Sequence, residues 1–116
     1  MKRACSAIFL LLFAGVAGGV EEAKITVMSS AFRDGGAMPS KYALYNDNIS
    51  PPISWSGLPE GTRSVAIICD DPDASRKAWT HWVIFNIPPD VGGLPEGVSD
   101  DAELPDGSFH GVNDFG

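Results

Sequence analysis

Residues 64–87 read SVAIICDDPDASRKAWTHWVIFNI. Two apolar, β-branched runs, 65–68 and 82–85, flank a polar segment that contains an Asp-Pro-Asp turn. Short apolar runs bounded by turn residues are typical of buried strands. The stretch therefore predicts two neighbouring strands, over 64–70 and 79–87, joined by a polar connection.

The rest of the chain indicates more strands rather than helices. No window after the N-terminus has a 3.6-residue apolar period, and the 13 Gly and 9 Pro residues indicate frequent turns. Beyond residue 90, only Phe109 and Phe115 are expected to add apolar bulk. With 116 residues the chain suffices for one domain, which we predict to be all-β. Further strands are predicted over 24–29, 53–56 and near Tyr42.

The N-terminus has the pattern of an export signal. Lys2 and Arg3 precede an apolar run from Ala4 to Phe13, and small residues continue to Gly19. A transmembrane anchor is the alternative, but the 17 residues from 4 to 20 are marginal for about 30 Å of hydrocarbon. We therefore predict a signal peptide over 1–19 and a domain over 20–116. The expected product is periplasmic or secreted, without a stable membrane span after cleavage.

The charge of the chain and its two cysteines bear on nucleic-acid binding and on disulfide formation. The net charge is −7, and no basic cluster follows the N-terminus, so we expect no nucleic-acid partner. The two cysteines are Cys5 and Cys69. If Cys5 leaves with the signal, the mature chain cannot form an internal disulfide, and Cys69 is expected to be a small buried strand residue.

The polar connection carries the candidate chemistry. If the two strands pair, Asp71 and Asp73 lie at the same end of the sheet as His81, because neighbouring strands are only about 4.8 Å apart. Strand alternation places Trp79 and His81 on one face and Thr80 and Trp82 on the other. A carboxylate beside an imidazole and an indole could hold a small anion. The alternative is an Asp-capped turn and a packed core histidine.

Two other functions are alternatives for the same residues. Asp71, Asp73, His81 and His110 could supply metal ligands, but their spacing is not that of a compact site. A hydrolase could use an Asp/His pair as general base, but no nucleophile or oxyanion motif accompanies the pair. We therefore predict neither an enzyme nor a metal or cofactor site.

The chain contains five motif blocks in this order: Ser30–Pro39, Asn48–Trp55, Asp70–Ala74, Trp79–Pro88 and Gly111–Gly116. Their order resembles the phosphatidylethanolamine-binding protein family, in its bacterial branch of Raf-kinase-inhibitor-like proteins. The similarity covers nearly all of residues 25–116, and the Asp-Pro-Asp and Trp-x-His-Trp blocks are its most specific parts.

This resemblance implies a β-sandwich built around a large sheet. It also implies a small cavity for anions such as phosphate or a phospholipid head group, lined by Asp71 and His81, with Trp79 nearby. Asp73 would belong to the same loop and shape it. Family members generally bind and regulate, which implies a protein partner and an inhibitory or regulatory role rather than catalysis.

The chain departs from the family pattern at its end. Members continue past the Asn-Asp-Phe-Gly block into a Gly-Pro-Pro loop and a His-Arg-Tyr strand that complete the cavity, whereas this sequence ends at Gly116. We therefore expect a domain that is incomplete at its C-terminus, a fragment with only the first half of the cavity. Ser75 also replaces a proline usual in the family, and Leu44 a cysteine frequent in bacterial relatives.

Overall fold

The computed structural model describes the backbone of residues 7–11 and the backbone and side chains of residues 24–74 and 76–116. These residues form short strands and a single-turn 3₁₀ helix, Ser40–Tyr42. The strands are β1 (Ala7–Leu11), β2 (Thr26–Met28), β3 (Ile53–Ser56), β4 (Val65–Asp71), β5 (Trp79–Ile87), β6 (Gly93–Leu94) and β7 (Phe109–His110).

The strands form two antiparallel sheets. The four-stranded sheet has the order β1-β4-β5-β7, and the three-stranded sheet has the order β2-β3-β6. The predicted all-β class is confirmed. Nowhere in the described ranges is there a helix with the length and apolar character needed to cross a bilayer.

One apolar core joins the two sheets. Ile53 and Trp55 of β3 contribute from one sheet, and β4 and β5 contribute from the other. Because side chains from both inner faces fill the same core, the sheets pack face to face, as in a β-sandwich. The buried core residues are Ile53, Trp55, Val65, Ile67, Ile84, Ile87, Leu94 and Leu104.

The pairing of β4 with β5 is irregular at two points. Cys69 lies opposite Trp82 and Asp70 lies opposite Thr80, so His81 is the extra residue of a β-bulge. A second shift lies between Val65 and Ile67 of β4. It faces the part of β5 that contains Asn86, whose φ of 58° is left-handed. Bulges change the direction of side chains, and the first one lies at the predicted site.

Two predictions about the fold were wrong. The segment near Tyr42 is a 3₁₀ turn rather than a strand, because Pro39 and Ser40 accept the backbone N–H bonds of Tyr42 and Ala43. The segment after residue 90 also contributes more to the core than expected. Leu94 and Leu104 are 6% and 8% exposed. Each is a single leucine in a segment rich in Gly and Pro, so no apolar run in the sequence indicated that it would be buried.

The predicted signal peptide lies partly outside the described residues, which do not include 1–6 or 12–23. Within it, Ala7–Leu11 pairs antiparallel with β4, from Ala7 opposite Asp70 to Leu11 opposite Ala66. Cys69 is half-buried and disulfide-bonded. The expectation of no internal disulfide applies to a chain that has lost Cys5 with its signal peptide, and it stays a prediction.

Candidate functional site

Asp71 is the last residue of β4 and pairs across the sheet with Trp79, the first residue of β5. Its carboxylate oxygen Oδ1 accepts a hydrogen bond of 2.9 Å from the backbone N–H of Asp73, which closes the turn. Asp71 is half-buried, whereas Asp73 is exposed. Asp71 therefore lies at the predicted end of the sheet, where its side chain stabilises the Asp-Pro-Asp turn.

Trp79 and His81 share an aromatic neighbour, Phe115. The Phe115 ring meets both edge-on, with centroid distances of 5.5 Å to Trp79 and 5.5 Å to His81. Trp82 instead packs against the core. His81 is exposed, and the buried indole N–H of Trp79 has no hydrogen-bond acceptor among the described residues. The two side chains thus form an aromatic face with an accessible imidazole.

Asp71 does not orient the His81 imidazole in this structure. Within residues 24–74 and 76–116, no hydrogen bond joins the two side chains, and the Asp71 carboxylate bonds to Asp73 instead. His81 is the extra residue of the bulge, so no residue of β4 lies directly opposite it.

The carboxylate that interacts with this face belongs to Asp114. Its Oδ1 accepts a bond of 2.7 Å from Lys77 Nζ, and its Oδ2 accepts one of 2.7 Å from the Thr80 backbone N–H. The hydrogen bond from Lys77 has the largest effect on the pKa of Asp114, and together with the bond from Thr80 it holds this pKa below its ordinary value of 3.8. The nearby His81 lowers the pKa slightly further. Asp114 therefore stays ionised at neutral pH.

The segment 111–115 follows the outer edge of β5 beyond β7. Gly111 and Asp114 donate backbone hydrogen bonds to Val83 and Thr80, and the Asn113 side chain donates one of 2.9 Å to the His81 carbonyl oxygen. A Cβ at Gly111 would lie 2.7 Å from Val83 Cγ1, so any larger residue there would force the Val83 side chain to shift. These contacts hold Asp114 and Phe115 against the face of Trp79 and His81.

Reasoning from the sequence missed the roles of Asn113 and Asp114 and treated Phe115 only as apolar bulk. The one available signal was their place in the Gly111–Gly116 block of the family resemblance. Nothing in the local pattern indicated that this block runs beside β5, because that contact joins residues more than 30 positions apart in sequence.

His110 lies in a different environment from His81. Its Nδ1 accepts a bond of 3.1 Å from the Trp82 indole N–H, and its Nε2 donates one of 2.8 Å to the Ser99 carbonyl oxygen. With both nitrogens engaged, His110 ties the loop at Ser99 to β5. In the described part of the chain, no three His, Cys, Asp or Glu side chains are grouped as a metal site would require.

A depression with a volume of about 230 Å³ lies elsewhere, on the three-stranded sheet. Its lining includes Ser30, Pro52 and Pro95 but none of the predicted site residues. The face of Trp79 and His81 instead combines an exposed imidazole with a half-buried indole, both in contact with the Phe115 ring, which suits a small group held by hydrogen bonds and charge.

Comparison with known proteins places this β-sandwich in a family. The family model described as phosphatidylethanolamine-binding protein matches residues 28–116. The chain therefore belongs to the phosphatidylethanolamine-binding protein family, as the resemblance predicted.

Individual relatives agree with this assignment. A UPF0098 protein of Methanothermobacter thermautotrophicus is 56% identical over 92 residues, which cover 79% of this chain and 61% of the relative. The UPF0098 protein YbhB of Escherichia coli is 37% identical over 97 residues, covering 78% of this chain and 61% of YbhB.

Solved structures share the fold. The crystal structure of E. coli YbcL, described as a member of the mammalian PEBP family, matches with a TM-score of 0.73 and 36% identity, over 81% of this chain and 62% of YbcL. A putative PEBP homolog of Chlamydia trachomatis matches with a TM-score of 0.69 and 33% identity, over 82% of this chain and 61% of that one. The chain thus spans about three fifths of the length of these relatives.

Proposed function

We propose that this chain binds a small anion, such as the phosphate group of a phospholipid head group, at the face of Trp79 and His81. The observation that carries the proposal is the contact of both side chains with the same ring, Phe115, beside the turn at Asp71. An exposed imidazole can donate a hydrogen bond to a phosphate oxygen and, when protonated, can pair with its charge. The Trp79 ring supplies an apolar wall.

Two further features support an anion at this position. The buried Trp79 Nε1–H has no acceptor among the described residues, and such a donor destabilises the folded state until it finds one. Lys77 Nζ lies 5.5 Å from the centroid of the Trp79 ring, so an ammonium group lies beside the same indole. Asp71 and Asp73 shape the loop that borders it.

The test follows the histidines by NMR. The chain has only two histidines, so the full-length protein gives one candidate signal and one internal control. On titration with phosphoethanolamine or inorganic phosphate, the His81 ring signals should move in a saturable way and the His110 signals should not. His81→Ala should abolish saturable binding. A His81 signal that stays unchanged at millimolar ligand would contradict the proposal.

A separate experiment distinguishes a phosphate group on a lipid from one on a soluble molecule. Co-sedimentation with vesicles of phosphatidylethanolamine and phosphatidylcholine, compared with phosphatidylcholine alone, distinguishes a lipid head group from a free phosphate. Binding to phosphoethanolamine in solution but to neither vesicle would assign the site to soluble ligands.

We also propose that the chain is exported, on the evidence of the N-terminal pattern at residues 1–19. Cleavage would remove β1 and expose the edge of β4. The mass of the protein recovered from the periplasm or medium tests this. A cell-retained product that keeps its first 19 residues would contradict export.

A further inference from the structure

The Asp114 carboxylate has the surroundings of a bound anion. Its oxygens accept hydrogen bonds of 2.7 Å from Lys77 Nζ and from the Thr80 backbone N–H, and the ring of the next residue, Phe115, contacts the His81 imidazole. An ammonium, a backbone N–H and an imidazole are groups that proteins use to hold phosphate. The carboxylate therefore occupies a place that an external anion would favour.

The neighbouring Phe115 covers the same face. Its ring lies edge-on to Trp79 and His81, at interplanar angles of 70° and 63°. The Asp114 backbone N–H donates to the Thr80 carbonyl oxygen, so the main chain that carries this ring is attached to β5. A ligand that contacts both Trp79 and His81 must share this space with Phe115 or displace it.

We propose that Asp114 acts as an internal anion, which competes with an external phosphate for Lys77 and His81 and keeps Phe115 over the site. This inference rests on the proposed anion-binding function and adds its regulation. In the ligand-free state, Asp114 neutralises the local positive charge. Phosphate displaces the carboxylate, and residues 113–115 then move away from Trp79.

The first test is the phosphate affinity of Asp114→Asn. The amide oxygen can still accept the Thr80 N–H bond, so the fold should persist while the negative charge is lost. Phosphate should bind about 3- to 10-fold more tightly, because a nearby charge of the same sign as the ligand has been removed. Asp90→Asn is the matched control. Asp90 is exposed and has no side-chain partner among the described residues, so its loss changes net charge equally but should alter affinity less than about twofold.

A second variant keeps the proposal testable if Asp114→Asn does not fold. Lys77→Gln removes the cation for which the two anions compete and leaves Asp114 free to pair with His81. Phosphate binding should weaken about 3- to 10-fold. An unchanged affinity in Lys77→Gln would overturn the proposal.

A third readout follows the displacement directly. In the ligand-free protein, nuclear Overhauser effects should connect the Phe115 ring with Trp79 and His81, and they should disappear at saturating phosphate. Their persistence at saturation, or an affinity in Asp114→Asn no tighter than wild type, would overturn competition while leaving anion binding intact. Binding only in Asp114→Asn would support the internal anion and contradict binding by the wild-type chain. Absence of binding in both would overturn both proposals.

Discussion

Replacing Ile84 by alanine should cause one of the largest losses of stability in this domain. Ile84 is 0% exposed and lies in the middle of β5, opposite Ile67 on β4 and His110 on β7. Ile→Ala substitutions in cores cost about 2–5 kcal/mol. Because paired strands on both sides hold the backbone, the cavity left by the missing side chain can close only partly, which places Ile84 in the upper half of this range, about 3.5–5 kcal/mol. That is a large fraction of the roughly 5–15 kcal/mol that stabilises a typical domain.

The matched control is the next residue. Phe85 is 44% exposed, on the other face of β5, and its main aromatic contact is Phe109, with ring centroids 5.8 Å apart. Phe85→Ala should cost about 1–2 kcal/mol, from one aromatic pair and partial burial. Urea unfolding of both variants, followed by tryptophan fluorescence, measures the two losses. Equal losses, or a larger loss for Phe85→Ala, would refute the assignment of the core face of β5.

Two further outcomes concern the loops around β7. His110→Ala should cost about 1–3 kcal/mol because the Trp82 indole N–H loses its acceptor, whereas the exposed His81→Ala should change stability by less than about 0.5 kcal/mol; equal urea midpoints would contradict this. Two hydrogen bonds from Ser108 lower the pKa of Asp106 from its ordinary value of 3.8, and the bond from the Ser108 hydroxyl has a larger effect than the bond from its backbone N–H. The stabilisation of the folded state by the ionised Asp106 carboxylate is therefore complete at pH values above the pKa of Asp106 in the unfolded chain. It is lost as the pH falls through the lowered pKa of Asp106 in the folded protein. Between about pH 6 and pH 2, Asp106→Asn should lose less stability than wild type, and an equal decrease in the urea midpoint would show that this carboxylate does not contribute.

The strands of the central stretch could be predicted because their signal is local. The apolar run at Val65–Ile68 lies in β4, which is paired on both sides, and Trp79–Ile87 matches β5 at both ends. The segment near Tyr42 could not be assigned in the same way. Its side chain is buried and its hydroxyl donates a bond of 2.5 Å to Glu96, 54 residues away, so a tertiary contact accompanies the 3₁₀ turn.

The candidate site also has features that the local sequence predicts and features that depend on tertiary contacts. The sequence by itself determined the all-β class, the two long neighbouring strands and the presence of Asp71, Trp79 and His81 at one end of them, because apolar pattern and turn chemistry act over a few residues. Only the tertiary structure decided the bulge at His81 and the approach of Asp114 and Phe115 to it. Those features depend on strand register and on hydrogen bonds between distant segments, which no local pattern encodes.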